Sequence, residues 1–317
     1  MSKNKKNIIY IVLGVVGLFL ITAYITFIAA PFSFQKDSIL TISSGTSVQE
    51  AGELLKTKHI IQSPFVFSAF IRFFYPSGII ANHYSFSKPQ SVLVIAYRLA
   101  KGKTDLVPLK VTIPEGLSSF EISKTLKDTL KDFDSVSFEA LARPQEGYLF
   151  PDTYFFLPGT TPEAIIDTMR KNFDEKIKPL ESSIATFGKP MNEVLAMASI
   201  LEREARQSET RRMVAGILWK RISIGMPLQV DAVFGYIFQK SGYAPTLTDL
   251  RTDSLYNTYL HRGLPPTSIG NPGLGAIQDA ITPTKSSYLY YLTDKEGKIY
   301  YAKTFAEHGL NKLRARN

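Results

Sequence analysis

The chain contains no cysteine among its 317 residues, which excludes disulfide bonds, thiolate metal sites and cysteine nucleophiles. Its four histidines lie far apart in sequence, and none falls in an HExxH pattern. A G-x-S-x-G motif, which would indicate a serine hydrolase, is also missing. The sequence therefore predicts neither a bound metal ion nor a cofactor.

Acidic residues are outnumbered, 28 against 37 lysines and arginines, which gives a formal net charge of +9. A basic chain suits nucleic acid, an anionic membrane face or an anionic wall polymer. The basic residues are spread along the chain without an interleaved aromatic stripe. We therefore predict no nucleic-acid partner.

Residues 8–30 carry no charge, and the lysines at the N-terminus precede them. Twenty-three helical residues span roughly 34 Å, enough for a hydrocarbon core of about 30 Å. The positive-inside rule places residues 1–7 in the cytoplasm and the rest outside the cell membrane. A cleavable signal peptide ending near Ala29 and Ala30 is the alternative, but its apolar core is normally shorter. We predict a single-pass membrane protein.

A short pattern occurs twice beyond the apolar segment. A strand over 39–42 leads through a turn to Ser47 and Glu50, which form a predicted capping box at a helix start. Ser118 and Glu121 repeat this arrangement 71 residues later, after a strand over 111–113. We predict an α+β protein with a small α/β module over 36–108 and a main domain over 109–317. Further helices are predicted over 65–75, 91–99, 162–173 and 210–224, and further strands over 288–292 and 299–301.

The segment 192–206 has apolar residues on almost every side of a helix, so it is predicted to be buried, with Asn192 as its N-cap. Glu202 lies on one stripe of this helix with Ser199 and Leu195. A carboxylate there is costly unless it is paired or used. One interpretation is an ion pair with Arg203 or Arg206. The other is a carboxylic acid kept protonated by its surroundings, as a general acid requires.

A polar and aromatic segment follows this helix, and its hydroxyls, amides and rings are suited to holding a sugar. The residues concerned are Gln229, Asp231, Tyr256, Asn257, Thr258, Tyr259 and Asn271. Cleavage of a glycan needs a proton for the glycosidic oxygen, and a hydrolase normally adds a second carboxylate. Asp231 and Glu204 are the candidates for that second role.

Several longer motifs occur together in this order. They are IPEG (113–116), EGYLFPDTY (146–154), ASILEREA (198–205), RISIGMPLQVDAVFGY (221–236), YNTYLHRGLPPTSIGNPG (256–273) and YLYYL (288–292). The combination resembles the YceG-like (MltG) family of endolytic murein transglycosylases. The resemblance is close over 109–315 and loose over the apolar segment and the first module, which is LysM-like.

The resemblance implies that Glu202 is the catalytic acid and that no cofactor is needed. It also implies substrate-binding residues along the cleft, namely Ser199, Gln229, Asp231, Tyr256, Asn257, Tyr259, Pro265 and Asn271. The substrate would be peptidoglycan glycan strands, cut between N-acetylmuramic acid and N-acetylglucosamine to leave 1,6-anhydro ends. Such an enzyme would terminate nascent strands beside peptidoglycan synthases (penicillin-binding proteins).

The sequence departs from the family pattern at Leu201, Arg203, Ala205 and Thr267, which bears on specificity more than on the acid. Two alternatives stay open. One is a muramidase-type hydrolase using Glu202 with Asp231. The other is a non-catalytic wall-binding scaffold in which the LysM-like module binds and Glu202 is only an ion-pair partner.

Overall fold

The computed structural model describes residues 3–131, 133–294 and 296–315. It divides into two compact units, Met1–Pro108 and Leu109–Asn317. Helices dominate both units, and the described strands form three separate two-stranded antiparallel sheets, β1-β2, β3-β4 and β5-β6. The class is mixed α+β.

The first unit begins with a long apolar helix, α1 (Lys3–Phe27). Its window Tyr10–Phe27 is long and apolar enough to cross a membrane and is not buried against the rest of the protein. Length and composition alone suit a membrane anchor and a signal sequence equally. The unit continues with β1 (Ser38–Ile42), α2 (Val48–Thr57), α3 (Pro64–Phe74), β2 (Asn82–Phe86) and α4 (Val92–Ala100).

The second unit opens with the same order of elements and adds a larger helical body. Its elements are β3 (Leu109–Thr112), α5 (Ser119–Thr129), α6 (Ser135–Ala142), β4 (Thr153–Phe156), α7 (Pro162–Ile177), α8 (Glu181–Phe187), α9 (Met191–Glu204), α10 (Ser208–Ser223), α11 (Val233–Ile237), α12 (Leu274–Ile281), β5 (Tyr290–Thr293), β6 (Ile299–Ala302) and α13 (Phe305–Arg314). Short 3₁₀ turns cover 143–145, 178–180 and 249–251.

The predicted repeat is confirmed, and it is longer than the sequence indicated. Both capping boxes are formed, by Ser47 with Glu50 and by Ser118 with Glu121. The offset of 71 residues carries β1 onto β3, α2 onto α5, α3 onto α6 and β2 onto β4. Each copy is therefore a strand, two helices and a returning strand.

The returning strands β2 and β4 were missed, because each is only four or five residues long and has only two buried apolar positions. A buried tyrosine fixes each of them. Tyr84 in β2 donates a hydrogen bond to the Ile80 carbonyl, and Tyr154 in β4 donates one to the Phe150 carbonyl, both at 2.6 Å. Both bonds span four residues. The tyrosines lie 70 residues apart, but they are equivalent by strand pairing, because Tyr84 pairs with Leu40 and Tyr154 pairs with Val111.

Helix α9 is the centre of the second unit, as predicted. Every residue of 194–201 is buried, and the helix packs on α10 and α12. The prediction of Asn192 as N-cap is wrong, because the helix begins at Met191 and Pro190 holds the extended cap position. The helix also ends earlier than predicted, at Glu204, since Ala205 is extended.

Candidate active site

The Glu202 carboxylate lies at the end of α9 in a nearly closed environment, with its side chain 9% exposed. Its Oε2 accepts a hydrogen bond from the backbone N–H of Gly273 at 2.9 Å. Its Oε1 lies 3.3 Å from Nη1 of Arg211. Both carboxylate oxygens are thus held in place by donors from other elements.

Three backbone segments meet around this carboxylate. Gly116, in the turn after β3, has φ +80°, and a Cβ there would approach Cγ of Glu202 at 3.1 Å. The Gly116 N–H donates to the Asn271 carbonyl at 2.7 Å, which joins this turn to the loop before α12. Gly273 is the cap residue of α12. Glycine is needed at 116 both for the left-handed backbone and for the close approach of the acid.

Burial is the main cause that raises the pKa of Glu202 above its ordinary value. The negative charges of Glu115 and Asp279 raise it further. The Gly273 N–H and the Arg211 guanidinium act in the opposite direction, and the net pKa shift is upward. The site therefore favours the protonated form of Glu202 over a wider pH range than an exposed glutamate would have.

Neither predicted ion-pair partner contacts Glu202. Arg203 binds the Gly116 carbonyl, with Nη2 at 2.9 Å, and forms a salt bridge with Glu121. Arg206 is exposed, because the helix ends at Glu204 and does not place it one turn above Glu202. The partner is Arg211, whose Nε also binds Oδ2 of Asp279 at 2.7 Å. One guanidinium is shared between two acids, so Glu202 is only partly neutralised.

Ser199 and Asn271, which the family resemblance implies as substrate-binding residues, are buried and hydrogen-bonded within the protein. The Ser199 hydroxyl accepts from the Ile269 N–H at 3.0 Å. Asn271 Oδ1 accepts from the N–H groups of Gly147 and Leu149, both at 2.9 Å. These two side chains fix the loop that carries Gly273, so they position the site from below the surface.

Asn257 and Pro265 are also buried and do not reach a cleft. Asn257 Nδ2 donates to the carbonyls of Leu250 and Thr252, at 3.1 and 2.9 Å. The side chain thereby braces its own loop, and a direct contact of Asn257 with substrate stays a prediction.

Gln229, Asp231 and Tyr259 do come together, in a cavity of about 610 Å³. The Tyr259 hydroxyl donates to Oδ1 of Asp231 at 2.6 Å. Glu204 lies in the same cavity and accepts from the Tyr291 hydroxyl at 3.0 Å. Burial raises the pKa of Glu204, and the charge of Asp231 adds to that effect.

Tyr256 lies in a different, smaller cavity of about 240 Å³, beside Tyr236, with the two ring centroids 4.9 Å apart. Its hydroxyl lies 2.8 Å from Oγ1 of Thr267. Among the described residues, Glu202 is part of the lining of neither cavity. The predicted binding residues are thus divided between these two cavities and buried positions, and they do not form one wall.

Four residues that shape the site were not singled out from the sequence, namely Glu115, Arg211, Gly273 and Asp279. Glu115 and Gly273 lie inside motifs that carry the family resemblance, so both could have been proposed as site residues from those motifs. Arg211 and Asp279 had none, because a single arginine on α10 and a single aspartate on α12 resemble ordinary helix residues.

Comparison with known proteins identifies the family of this chain. Residues 40–314 match the model of the YceG-like family. The chain belongs to the YceG-like family. The resemblance inferred from the motifs is therefore confirmed.

Relatives of this YceG-like chain are named endolytic murein transglycosylases. One from Streptococcus pneumoniae is 32% identical over 312 residues, which cover 85% of this chain and 57% of the relative. One from Bacillus subtilis is 30% identical over 305 residues, covering 86% of this chain and 84% of the relative. The chain thus spans little more than half the length of its pneumococcal relative.

A solved structure is also similar. The crystal structure of a putative yceG-like protein from Listeria monocytogenes has 29% sequence identity and a TM-score of 0.59. The match covers 88% of this chain and 99% of that protein. The likeness extends along most of the chain.

Glu146 is a further buried acid of the second unit, 3% exposed. It accepts hydrogen bonds from the Ser119 N–H at 3.0 Å and from Asn271 Nδ2 at 2.8 Å. Burial nevertheless raises its pKa to about 7. Its partner Asn271 belongs to the loop that carries Gly273. The protonation state of Glu146 therefore affects the stability of that loop.

This pKa shift predicts a pH dependence of stability. A carboxyl whose pKa is raised in the folded state stabilises the fold below its unfolded pKa, near 4.5, and loses that contribution as pH rises through about 7. The free energy of unfolding should fall across this window by on the order of 3 kcal/mol. Denaturant unfolding of Glu146→Gln should show a flatter pH profile than wild type, whereas the exposed Glu163→Gln should keep the wild-type slope. Parallel profiles for all three proteins would contradict the assignment.

Proposed function

We propose that this chain is a peptidoglycan lytic transglycosylase that cuts glycan strands internally. It would cleave the bond between N-acetylmuramic acid and N-acetylglucosamine and leave a 1,6-anhydro-N-acetylmuramic acid end. The observation that carries the proposal is the buried Glu202, with its raised pKa and its two fixed donors. The names of the relatives support the substrate class.

The residues at the site suit a proton transfer. Protonated Glu202 donates its proton to the glycosidic oxygen as the bond to the anomeric carbon breaks, so the leaving sugar departs as an alcohol. The resulting carboxylate is stabilised by the Gly273 N–H and the Arg211 guanidinium, which already lie within reach of it. The 6-hydroxyl of the muramyl unit then attacks the anomeric carbon and returns its proton to Glu202. No water is consumed.

One carboxyl group suffices in this scheme, because the nucleophile is part of the substrate and is already close to the reacting carbon. A hydrolase would need a second group to activate water. Asp231 is a poor candidate for this second group, since it lies in the cavity of Glu204, which does not include Glu202, and its charge raises the pKa of Glu204. The charge of Glu115 raises the pKa of Glu202, and Glu115 is exposed to solvent. A muramidase that uses Glu202 with Glu115 is therefore the second candidate, and it would yield reducing ends in place of anhydro ends.

The proposal includes a cellular setting. Helix α1 anchors the protein in the cell membrane as a single span, with residues 1–7 in the cytoplasm and the catalytic domain outside, because the lysines precede the apolar run. The enzyme would then meet strands emerging from peptidoglycan synthases and would act as a strand terminase. The LysM-like first module, over 36–108, lies between the anchor and the catalytic domain in sequence.

Glu202→Gln tests the acid directly. The amide keeps the shape and can still accept from Gly273, but it has no proton to donate. Formation of anhydro ends from purified sacculi should fall by roughly a hundredfold or more. The free energy of unfolding should change by less than about 1 kcal/mol, because Arg211 keeps its bond to Asp279.

Glu204→Gln is the matched control, with the same change made two residues away at another buried acid of α9. Its loss of activity should be much smaller, because Glu204 lies in a cavity whose lining does not include Glu202. A Glu202→Gln protein that still forms anhydro ends but loses roughly 3–5 kcal/mol of stability would identify Glu202 as a structural ion-pair partner. Mass analysis of products and denaturant unfolding, done side by side, distinguish these cases.

The charges around Glu202 predict opposite shifts in the pH profile of cleavage. Activity requires protonated Glu202, so it should decline as pH rises through the raised pKa of this residue. Arg211→Gln removes a cation that lowers this pKa, so the decline should move to higher pH. Glu115→Gln removes an anion that raises it, so the decline should move to lower pH. Shifts in the same direction for both variants would exclude Glu202 as the titrating acid.

A further inference from the structure

Helix α3 exposes three phenylalanines that take no part in the proposed reaction. Phe65, Phe73 and Phe74 are 81%, 79% and 57% exposed. Phe65 and Phe73 lie on the side opposite the buried Phe67 and Ile71, and Phe74 is the last residue of the helix. A large aromatic surface left open to water on one short helix usually marks a binding face.

The second copy of the repeat indicates that packing does not require these rings. The offset of 71 residues places Val136, Pro144 and Gln145 at the positions of the three exposed phenylalanines. The buried position is conserved between the copies, because Phe138 is fully buried like Phe67. The two copies thus share their core and differ on the exposed face, so the phenyl rings serve something specific to the first copy.

The first copy is joined to the apolar helix α1 by direct contacts. Gln62, which lies just before α3, donates from Nε2 to the Ile25 carbonyl at 2.8 Å. The Val92 N–H donates to the Ile28 carbonyl at 2.9 Å. Phe32, five residues after the end of α1, is 96% exposed. The start of α3 therefore lies beside the end of the predicted membrane span.

The charge of this region suits an anionic surface. Between Glu53 and Asp105 the chain has seven lysines and arginines and no acidic residue. Arg98 is buried, and the other six are exposed, namely Lys56, Lys58, Arg72, Lys88, Lys101 and Lys103. Lys101 lies 5.6 Å from the ring centroid of Tyr75, at the end of α3. Exposed rings and cations on one small module are the combination expected at a lipid headgroup layer.

We propose that the exposed aromatic face of α3 enters the lipid–water interface of the bilayer that α1 spans. The phenyl rings of Phe65, Phe73 and Phe74 would lie among the upper acyl chains, and the neighbouring cations would contact headgroup phosphates. The first module would then be held against the outer surface of the membrane. This inference rests on the proposed membrane anchor, but it does not depend on the chemistry of Glu202.

A sugar ligand fits this face less well than lipid does. Carbohydrate sites combine rings with hydrogen-bonding side chains, and the exposed residues of α3 are Phe65, Ala69, Arg72, Phe73 and Phe74. Arginine is the only hydrogen-bonding side chain among them. The face is therefore suited to apolar contact with cations beside it.

The test uses the full chain in vesicles of phosphatidylglycerol and phosphatidylcholine, with and without bromine on the upper acyl carbons. Phe65→Trp places an indole on the face, and Val136→Trp is its matched control at the equivalent position of the second copy, 79% exposed against 81%. Phe19→Trp reports on insertion of α1. The signal of Trp219, the one native tryptophan, is measured in wild type and subtracted.

The emission of Phe65→Trp should shift to shorter wavelength and be quenched by brominated lipid, whereas that of Val136→Trp should not. Vesicles of phosphatidylcholine alone should reduce the quenching, because the cations then have no anionic headgroup. Quenching of Phe19→Trp without quenching of Phe65→Trp would overturn the inference and leave the anchor standing. Quenching of none of the three would overturn the anchor itself.

Two further outcomes would also overturn the inference. In the first, the Phe65→Trp indole is shielded from aqueous acrylamide but is not quenched by brominated lipid, and the shielding increases with protein concentration. That result would assign the face to a second copy of the chain. Shielding that requires added glycan strands would assign it to peptidoglycan.

Discussion

The desolvation of one carboxyl group, that of Glu202, is the constraint on which the arrangement of the second unit depends. Helix α9 must be buried for the acid to stay protonated, and it is buried because other helices cover its apolar sides. The acid still needs donors, and they come from Gly273 and Arg211. Gly116 must lack a side chain, because a Cβ there would lie 3.1 Å from Cγ of Glu202. Three distant segments are thus fixed by the requirements of one group.

Much of the fold was predictable because its signals are local. Capping boxes, turns and apolar periodicity lie within a few residues of one another, and they located the repeat and the helices α1 to α5, α7, α9 and α10. The shorter helices α6, α8 and α11 to α13 were not predicted. The strands β2 and β4 were not predictable in this way, because each is defined by its pairing with a strand 44 residues earlier. Pairing of that kind leaves little trace in a short window of sequence.

The site was predictable only in part, for a related reason. Glu202 was identifiable because a carboxylate inside an apolar helix is energetically unusual. Its true partner was not, because the choice between Arg203, Arg206 and Arg211 depends on where α9 ends. The helix stops at Glu204, and α10 then brings Arg211 back toward the acid. Ser199 and Asn271 illustrate the same limit, since a sequence motif does not reveal that their side chains are buried and hydrogen-bonded within the protein.

The helix carries two buried acids, and their separation by two residues has a mechanistic consequence. Side chains two apart on a helix point to different sides, so Glu202 and Glu204 have different neighbours. Both pKa values are raised mainly by burial, but the charges that add to the effect are Glu115 and Asp279 in one case and Asp231 in the other. The pH profile of the wild type alone therefore does not show which of the two acids causes the fall of activity with rising pH. The substitutions at Arg211 and Glu115 can, because these side chains act on Glu202 and are not part of the Glu204 cavity.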